Sequence, residues 1–148
     1  MRLRLRVNGE AHELEARTDE SILDVLRREL GLLSVRDTCG IGVCGACTVL
    51  LDGEPVSGCL LLAPLAGGRE VTTVEGLGGV HPVQRAFDEA HAFQCGYCTP
   101  GMVLTAKRLL EETPRPTADE VRAAMSGNLC RCGSYVKIVE AVLQAARA

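Results

Sequence analysis

The sequence predicts an α+β protein, with a small mixed sheet crossed by one helix in its first half and four short helices in its second half. Three observations predict this class. Apolar residues alternate with arginines at the N-terminus, Asn-Gly and Asp-Gly pairs mark two hairpins, and strand signals stop after a segment at 64–82 that contains five glycines. Such a glycine-rich segment is typical of a domain boundary. We therefore predict one domain at 1–76 and a second at 77–148.

The first domain is expected to begin with a hairpin that leads into a helix. Apolar residues at alternate positions of 3–7 give the period of a half-buried strand, and Asn8-Gly9 is a two-residue hairpin signal. Thr18 or Asp19 is predicted to cap the helix, and Gly31 suits its C-terminal end. Beyond the helix we predict a second hairpin around Asp52-Gly53 and a strand at Val71–Val74.

The second domain is predicted to be a small bundle of four helices. Thr99-Pro100 pairs a cap residue with a first-turn proline, and Thr117 with Glu120 fits a capping box. Apolar residues share one face of the first and last of these helices. The predicted helices cover Pro82–Ala92, Thr99–Leu110, Thr117–Met125 and Tyr135–Ala146.

Composition excludes several classes of function. The net charge of −3 leaves no basic field for nucleic acid, and no apolar run approaches the roughly 20 residues of a membrane span. Residues 1–13 contain no unbroken apolar stretch, so no secretory signal is expected and we place the protein in the cytoplasm. Export to the periplasm with a partner that carries its own signal stays open.

Eight cysteines are the one unusual feature of the composition, and they fall into two groups of four. Their density is below that of a small disulfide scaffold, and in a reducing compartment such spacings favour metal binding or redox chemistry. The sequence therefore predicts two sites with four thiolates each. The first group is Cys39, Cys44, Cys47 and Cys59; the second is Cys95, Cys98, Cys130 and Cys132.

The first group has the spacing C-x4-C-x2-C with a remote fourth cysteine, which is the plant-type [2Fe–2S] pattern. A two-iron cluster needs two thiolates on each iron, and a loop wrapped around it supplies three of the four. Gly40, Gly42 and Gly45 allow the backbone to approach the sulfurs and point N–H groups at them. Zinc also takes four thiolates, but its structural sites usually pair two short knuckles.

The second group is more ambiguous when it is judged by spacing alone. Cys95 and Cys98 form a C-x-x-C that also suits a thioredoxin-like redox pair or half of a zinc site. Cys130 and Cys132 add a C-x-C, and two pairs at helix ends can converge on one cluster. The spacing favours an iron–sulfur cluster over zinc and leaves both open.

Three motifs closely resemble those of the iron–sulfur subunit of the molybdenum hydroxylases, the family of xanthine dehydrogenase, aldehyde oxidoreductase and carbon monoxide dehydrogenase. They are CGIGVCGACTVLLDG, QCGYCTPGM at Gln94–Met102 and GNLCRC at Gly127–Cys132, and the resemblance covers nearly the whole chain. It implies a β-grasp ferredoxin-like N-terminal domain and a C-terminal four-helix bundle domain. Each domain is implied to hold one [2Fe–2S] cluster.

The resemblance also implies a role for individual residues. Cys39, Cys44, Cys47 and Cys59 are the implied ligands of the first cluster, and Cys95, Cys98, Cys130 and Cys132 those of the second. Gln94 is implied to hydrogen-bond the molybdopterin of a partner subunit, with Cys132 beside the amino group of the pterin. Departures from the usual family pattern at Thr38, Gly58 and Gly133-Ser134 remove no ligand and indicate different local hydrogen bonds.

The implied function is electron transfer within a larger enzyme. Electrons are expected to pass one at a time from a molybdopterin-binding large subunit through the two clusters to FAD, usually in a medium subunit, within a dimer of heterotrimers. No catalytic residue is expected in this chain: His12, His81 and His91 are interpreted as surface or packing residues. The alternatives are a free-standing ferredoxin-like carrier and a zinc-stabilised adaptor.

Tyr97 is interpreted as a shield for the second cluster or as simple packing.

Overall fold

The computed structural model describes all 148 residues and confirms the α+β class. It contains five strands, five α-helices and two short 3-10 turns, the latter at Ala63–Ala66 and Val74–Leu77. The strands are β1 (Arg2–Val7), β2 (Glu10–Glu15), β3 (Thr48–Leu51), β4 (Glu54–Ser57) and β5 (Glu70–Thr72). The helices are α1 (Ile22–Leu30), α2 (Pro82–Glu89), α3 (Thr99–Glu112), α4 (Ala118–Met125) and α5 (Tyr135–Ala145).

All five strands form one mixed sheet in the order β2-β1-β5-β3-β4. Only β1 and β5 run parallel; the other neighbouring strands are antiparallel. Both predicted hairpins are present, because Asn8 and Asp52 each adopt a φ of 51° ahead of a glycine with positive φ. The last strand ends at Thr72, two residues earlier than predicted, because a 3-10 turn begins at Val74.

The N-terminal cap of α1 differs from the predicted one. Ser21 caps the helix, with its Oγ accepting the Asp24 N–H at 3.2 Å, so the choice of Thr18 or Asp19 was wrong. The helix starts later because Glu20 holds a turn in front of it: the carboxylate accepts the Arg17 N–H at 3.0 Å and an Arg28 guanidinium N–H at 2.8 Å. The helix ends at Gly31 in the left-handed conformation, as predicted.

Two further caps correct the sequence-based expectations. Cys98, not Thr99, precedes α3, and the Thr99 hydroxyl is buried without a hydrogen-bond partner. His81, interpreted from sequence as a surface or packing residue, caps α2: its Nδ1 accepts the Val83 N–H at 3.2 Å, and Gln84 completes a capping box. The predicted capping box of Thr117 and Glu120 at α4 is confirmed.

Buried apolar side chains form two separate cores. The first lies between the sheet and α1 and includes Val25, Leu26 and Val49. The second is built by the four later helices, around Met102 and Ile138. Both cores reach the cysteines: Cys47 is part of the first core and Cys59 packs against it, whereas Cys98 and Cys130 pack against the second. None of the helices is long and apolar enough to cross a membrane.

Candidate metal centres

The first group of cysteines lies in the loop between α1 and β3, with its fourth member just after β4. Cys59 lies beside Cys47, because its N–H donates to the Cys47 Sγ. After the larger effect of backbone N–H groups, the Cys44 thiol lowers the pKa of Cys39. After the larger effect of burial, the Cys59 and Cys44 thiols raise the pKa of Cys47. The structure therefore brings together all four cysteines that the sequence grouped.

Backbone N–H groups point at the sulfurs of this first group. The Sγ atom of Cys39 accepts the Ile41 N–H and that of Cys44 accepts the Ala46 N–H, both at 3.5 Å. The Cys59 N–H donates to the Cys47 Sγ at 3.4 Å. Donors aimed at sulfur stabilise thiolates and offset the negative charge of a cluster.

The pKa values of these thiols differ because their environments differ. The N–H of Ile41, helped by those of Cys44 and Val43, lowers the pKa of the half-buried Cys39 thiol to about 6. Burial raises the pKa of Cys47 to about 11. Cys39 is thus mostly a thiolate at neutral pH, while Cys47 keeps its proton until a metal displaces it.

The second group joins the start of α3 to the turn between α4 and α5. After the larger effect of the Tyr97 N–H, the Cys132 thiol lowers the pKa of Cys95; after the larger effect of burial, the Cys130 thiol raises the pKa of Cys98. The Tyr97 N–H donates to the Cys95 Sγ, at 3.4 Å. A cavity of about 480 Å³ opens beside these residues. Its walls include three cysteines of this group and Cys44 of the first, so the two sites are close neighbours.

The thiols of the second group show the same division of pKa values. Burial raises the pKa of Cys98 to about 12. The Tyr97 N–H lowers the pKa of the exposed Cys95. Burial opposes ionisation of Cys130, but the N–H of Ser134, 3.4 Å from its sulfur, and contacts with Cys98 bring its pKa below the usual value.

The donor set of each site, four cysteines with backbone N–H groups directed at sulfur, has the chemistry that a two-iron cluster needs. Each iron of a [2Fe–2S] core takes two thiolates, whereas one tetrahedral zinc gathers all four around one point. Four cysteines in each group, N–H donors to sulfur and the adjacent cavity all fit a [2Fe–2S] cluster.

Gln94 and Cys132, the two residues implied to meet a pterin, lie in contact at the surface. The Gln94 side-chain Nε2 donates to the Cys132 carbonyl oxygen at 3.0 Å, although 38 residues separate them. This bond uses one N–H of the exposed amide and leaves its oxygen and second N–H available to a ligand.

Tyr97 has a role that the sequence did not indicate. Its hydroxyl donates to the Asp37 carbonyl at 2.9 Å and accepts from the Thr38 hydroxyl at 3.2 Å. The Arg36 guanidinium lies over the ring, 5.1 Å from its centre. The side chain therefore ties the second cysteine loop to the residues just before Cys39. No local sequence signal identifies a bond across 60 residues.

Models of two domain families match the chain. A 2Fe-2S iron-sulfur cluster binding domain matches residues 5–70, and a [2Fe-2S] binding domain matches residues 73–143.

Curated relatives and solved structures are similar over nearly the whole chain. The small FeS subunit of nicotinate dehydrogenase from Eubacterium barkeri is 49% identical, covering 95% of this chain and 91% of that one. The iron-sulfur-binding subunit of Escherichia coli K12 aldehyde oxidoreductase is 43% identical, over 99% and 72%. Quinoline 2-oxidoreductase from Pseudomonas putida 86 superposes with a TM-score of 0.96 at 42% identity, over 100% of this chain and 94% of that chain. Aldehyde oxidoreductase from Desulfovibrio gigas superposes with a TM-score of 0.93 at 38% identity, over 99% of this chain but only 17% of that longer chain.

Proposed function

Because the chain belongs to the family of small iron–sulfur subunits of the molybdenum hydroxylases, we propose that its two groups of four cysteines ligate two [2Fe–2S] clusters. The chain is an electron-transfer subunit of a multi-subunit oxidoreductase, and the chemistry on the substrate resides in partner subunits. When bound, each cluster takes up and releases one electron at a time. The free-standing ferredoxin-like carrier is not favoured.

The proposed ligand sets rest on one observation: each site gathers cysteines whose sulfurs accept backbone N–H groups or line one cavity. Cys39, Cys44, Cys47 and Cys59 would hold the first cluster, and the sulfurs of the first three accept backbone N–H groups. Cys95, Cys98, Cys130 and Cys132 would hold the second, and the first three of these line one cavity. The N–H groups directed at these sulfurs offset the charge that an added electron brings, and the buried flanks of Cys47 and Cys98 exclude water.

We propose the finer division of the fold on similar grounds. A β-grasp ferredoxin-like domain at 1–76 accounts for the mixed sheet, α1 and the first apolar core. A four-helix bundle domain at 77–148 accounts for α2 to α5 and the second core. The division matters for function because each proposed domain then carries one cluster.

The direction of electron flow is proposed from the surfaces next to each site. Gln94 and Cys132 lie together at the surface of the second site, which suits contact with the molybdopterin of a large subunit. Large apolar side chains stand exposed around the first site, with Ile41 68%, Leu60 59% and Val43 56% accessible, and such a patch marks a protein contact. We therefore place a medium, FAD-binding subunit against the first site.

We further propose that the assembly is a dimer of heterotrimers and that it works in the cytoplasm. A reducing compartment keeps the eight thiols available for iron until the clusters are built. The whole chain then acts as a fixed support for two one-electron carriers, set between the pterin and the flavin.

The test of this function is an anaerobic purification through an affinity tag on this chain. We expect a larger molybdopterin-containing subunit to co-purify, and both clusters to become reduced when the right substrate is added without dithionite. Nicotinate, quinoline, xanthine and an aldehyde are the compounds to try, since relatives and a structural neighbour carry these names. A chain that purifies without such a subunit, with both clusters bound, contradicts the proposal and supports the free-standing carrier.

A further inference from the structure

The loops that carry the two cysteine groups touch each other directly. The Leu129 N–H donates to the Cys44 carbonyl oxygen at 2.8 Å, and this is the one backbone–backbone hydrogen bond that joins residues 1–72 to residues 82–148. Cys44 is a proposed ligand of the first cluster, and Leu129 precedes Cys130, a proposed ligand of the second. The separation of the two clusters therefore depends on how firmly this contact is held.

Asn128 holds the contact from its buried side. Only 5% of this residue is exposed, and its side-chain amide is bonded in three directions. Its Nδ2 donates to the Gly45 carbonyl at 3.1 Å and to the Thr48 hydroxyl at 3.3 Å. Gly45 lies in the first cysteine loop, and Thr48 lies where that loop ends. Its Oδ1 accepts the Thr105 hydroxyl of α3 at 3.0 Å.

The backbone of Asn128 is fixed to the second site as well. The Asn128 carbonyl accepts the Tyr135 hydroxyl at 2.8 Å, and that hydroxyl accepts the Cys130 N–H at 2.9 Å. The Asn128 N–H bonds the Met125 carbonyl at the end of α4, at 3.0 Å. One residue thus bonds both cysteine loops, and nearly all of its polar groups are used.

Gly45 lets the two loops come this close. A Cβ atom on Gly45 would lie 2.4 Å from the Gly127 carbonyl oxygen and 2.7 Å from the Asn128 Nδ2. On the other side, a Cβ on Gly101 of α3 would lie 2.4 Å from the Gly45 carbonyl oxygen. Close backbone packing of this kind leaves a small set of polar bonds to fix the relative position of the loops.

From these contacts we propose that Asn128 is a positioning residue for electron transfer: it fixes the distance and orientation between the two clusters. A side chain that only filled space could be replaced by one of equal volume without moving the clusters. Asn128 instead forms hydrogen bonds to the first cysteine loop, to α3 and, through Tyr135, to the backbone of Cys130. The inference rests on the proposed ligand sets, because it concerns the separation of the clusters that they bind.

The test compares the EPR spectra of dithionite-reduced holoenzymes that carry the parent chain or Asn128→Leu, which keeps the volume and removes the amide. Two paramagnetic clusters at a fixed separation split each other's signals. In the parent we expect this splitting on both signals. In Asn128→Leu we expect both signals with the iron content of the parent, but with the splitting lost or spread over a range. An unchanged splitting in Asn128→Leu overturns the inference.

Asn8→Gly is the matched control, because Asn8 also joins two segments with its amide, through Thr73, but lies away from the cysteine loops. Its positive φ of 51° suits glycine, and we expect the splitting of the parent. An equal change in this control overturns the inference.

Should Asn128→Leu fail to assemble, Thr48→Val is the second variant, because it removes one acceptor of the Asn128 amide. A smaller loss of EPR splitting in Thr48→Val supports the inference, and an unchanged splitting overturns it. The proposed ligand sets are contradicted by a different result, namely a parent holoenzyme that lacks two cluster signals.

Discussion

Replacing Cys132 with serine is expected to remove the EPR signal of the second cluster and to leave that of the first. The physical reason is the proposed ligand set: Cys132 would hold the second cluster, and a serine hydroxyl is a much poorer ligand for iron than a thiolate. Iron content should fall from about four to about two per chain. Electrons from the substrate should then no longer reach the first cluster, although dithionite should still reduce it.

Cys59→Ser is the mirror-image control. Cys59 is a proposed ligand of the first cluster, and its N–H donates to the Cys47 Sγ. This change should therefore remove the first signal and leave the second, which the substrate should still reduce. Loss of the first signal in Cys132→Ser, or of the second in Cys59→Ser, would show that the cysteines are divided wrongly between the sites.

Gly45→Ala is expected to lower stability strongly and to disturb the first site. Gly45 has a φ of 73°, where an L-residue costs roughly 1–2 kcal/mol. The added Cβ would also lie 2.4 Å from the Gly127 carbonyl oxygen, a backbone atom that cannot rotate away. Overpacking of this kind typically costs a further 1–3 kcal/mol or so. We expect a lower unfolding temperature and incomplete loading of the first cluster.

Gly40→Ala separates these two costs. Gly40 lies in the same loop with a φ of 67°, but a Cβ there meets no atom within 4 Å. It should therefore lose only the conformational part of the free energy of unfolding. The measurement is thermal unfolding of both variants with the clusters bound. Equal losses in Gly45→Ala and Gly40→Ala would contradict the account of close loop packing.

The local features of the fold could be predicted because each has a signal within a few residues. Asn8-Gly9 and Asp52-Gly53 form the predicted turns, and Thr117 with Glu120 forms the predicted capping box. The predicted cap of α1 was wrong because Thr18, Asp19 and Ser21 can all cap a helix. The bond between Glu20 and Arg28 selects Ser21. That bond depends on the folded helix, so the local sequence does not contain it.

At the candidate sites, too, the sequence predicts the local features and misses those that depend on tertiary structure. Cysteine spacing predicts two groups of four thiols, but only the structure shows which backbone N–H groups point at the sulfurs. Asn128 and Tyr97 lay inside the motifs quoted for the family, yet their partners Gly45 and Asp37 are 83 and 60 residues away. Only tertiary structure shows that these non-ligand positions join the two sites.

Chemical analysis of the purified chain for iron, acid-labile sulfide and zinc, together with EPR of the reduced protein, tests the central claim most directly. Two [2Fe–2S] clusters predict about four iron and four sulfide per chain, and two distinguishable EPR signals. Stoichiometric zinc without sulfide, in a colourless protein, would contradict the claim and support a zinc-stabilised adaptor.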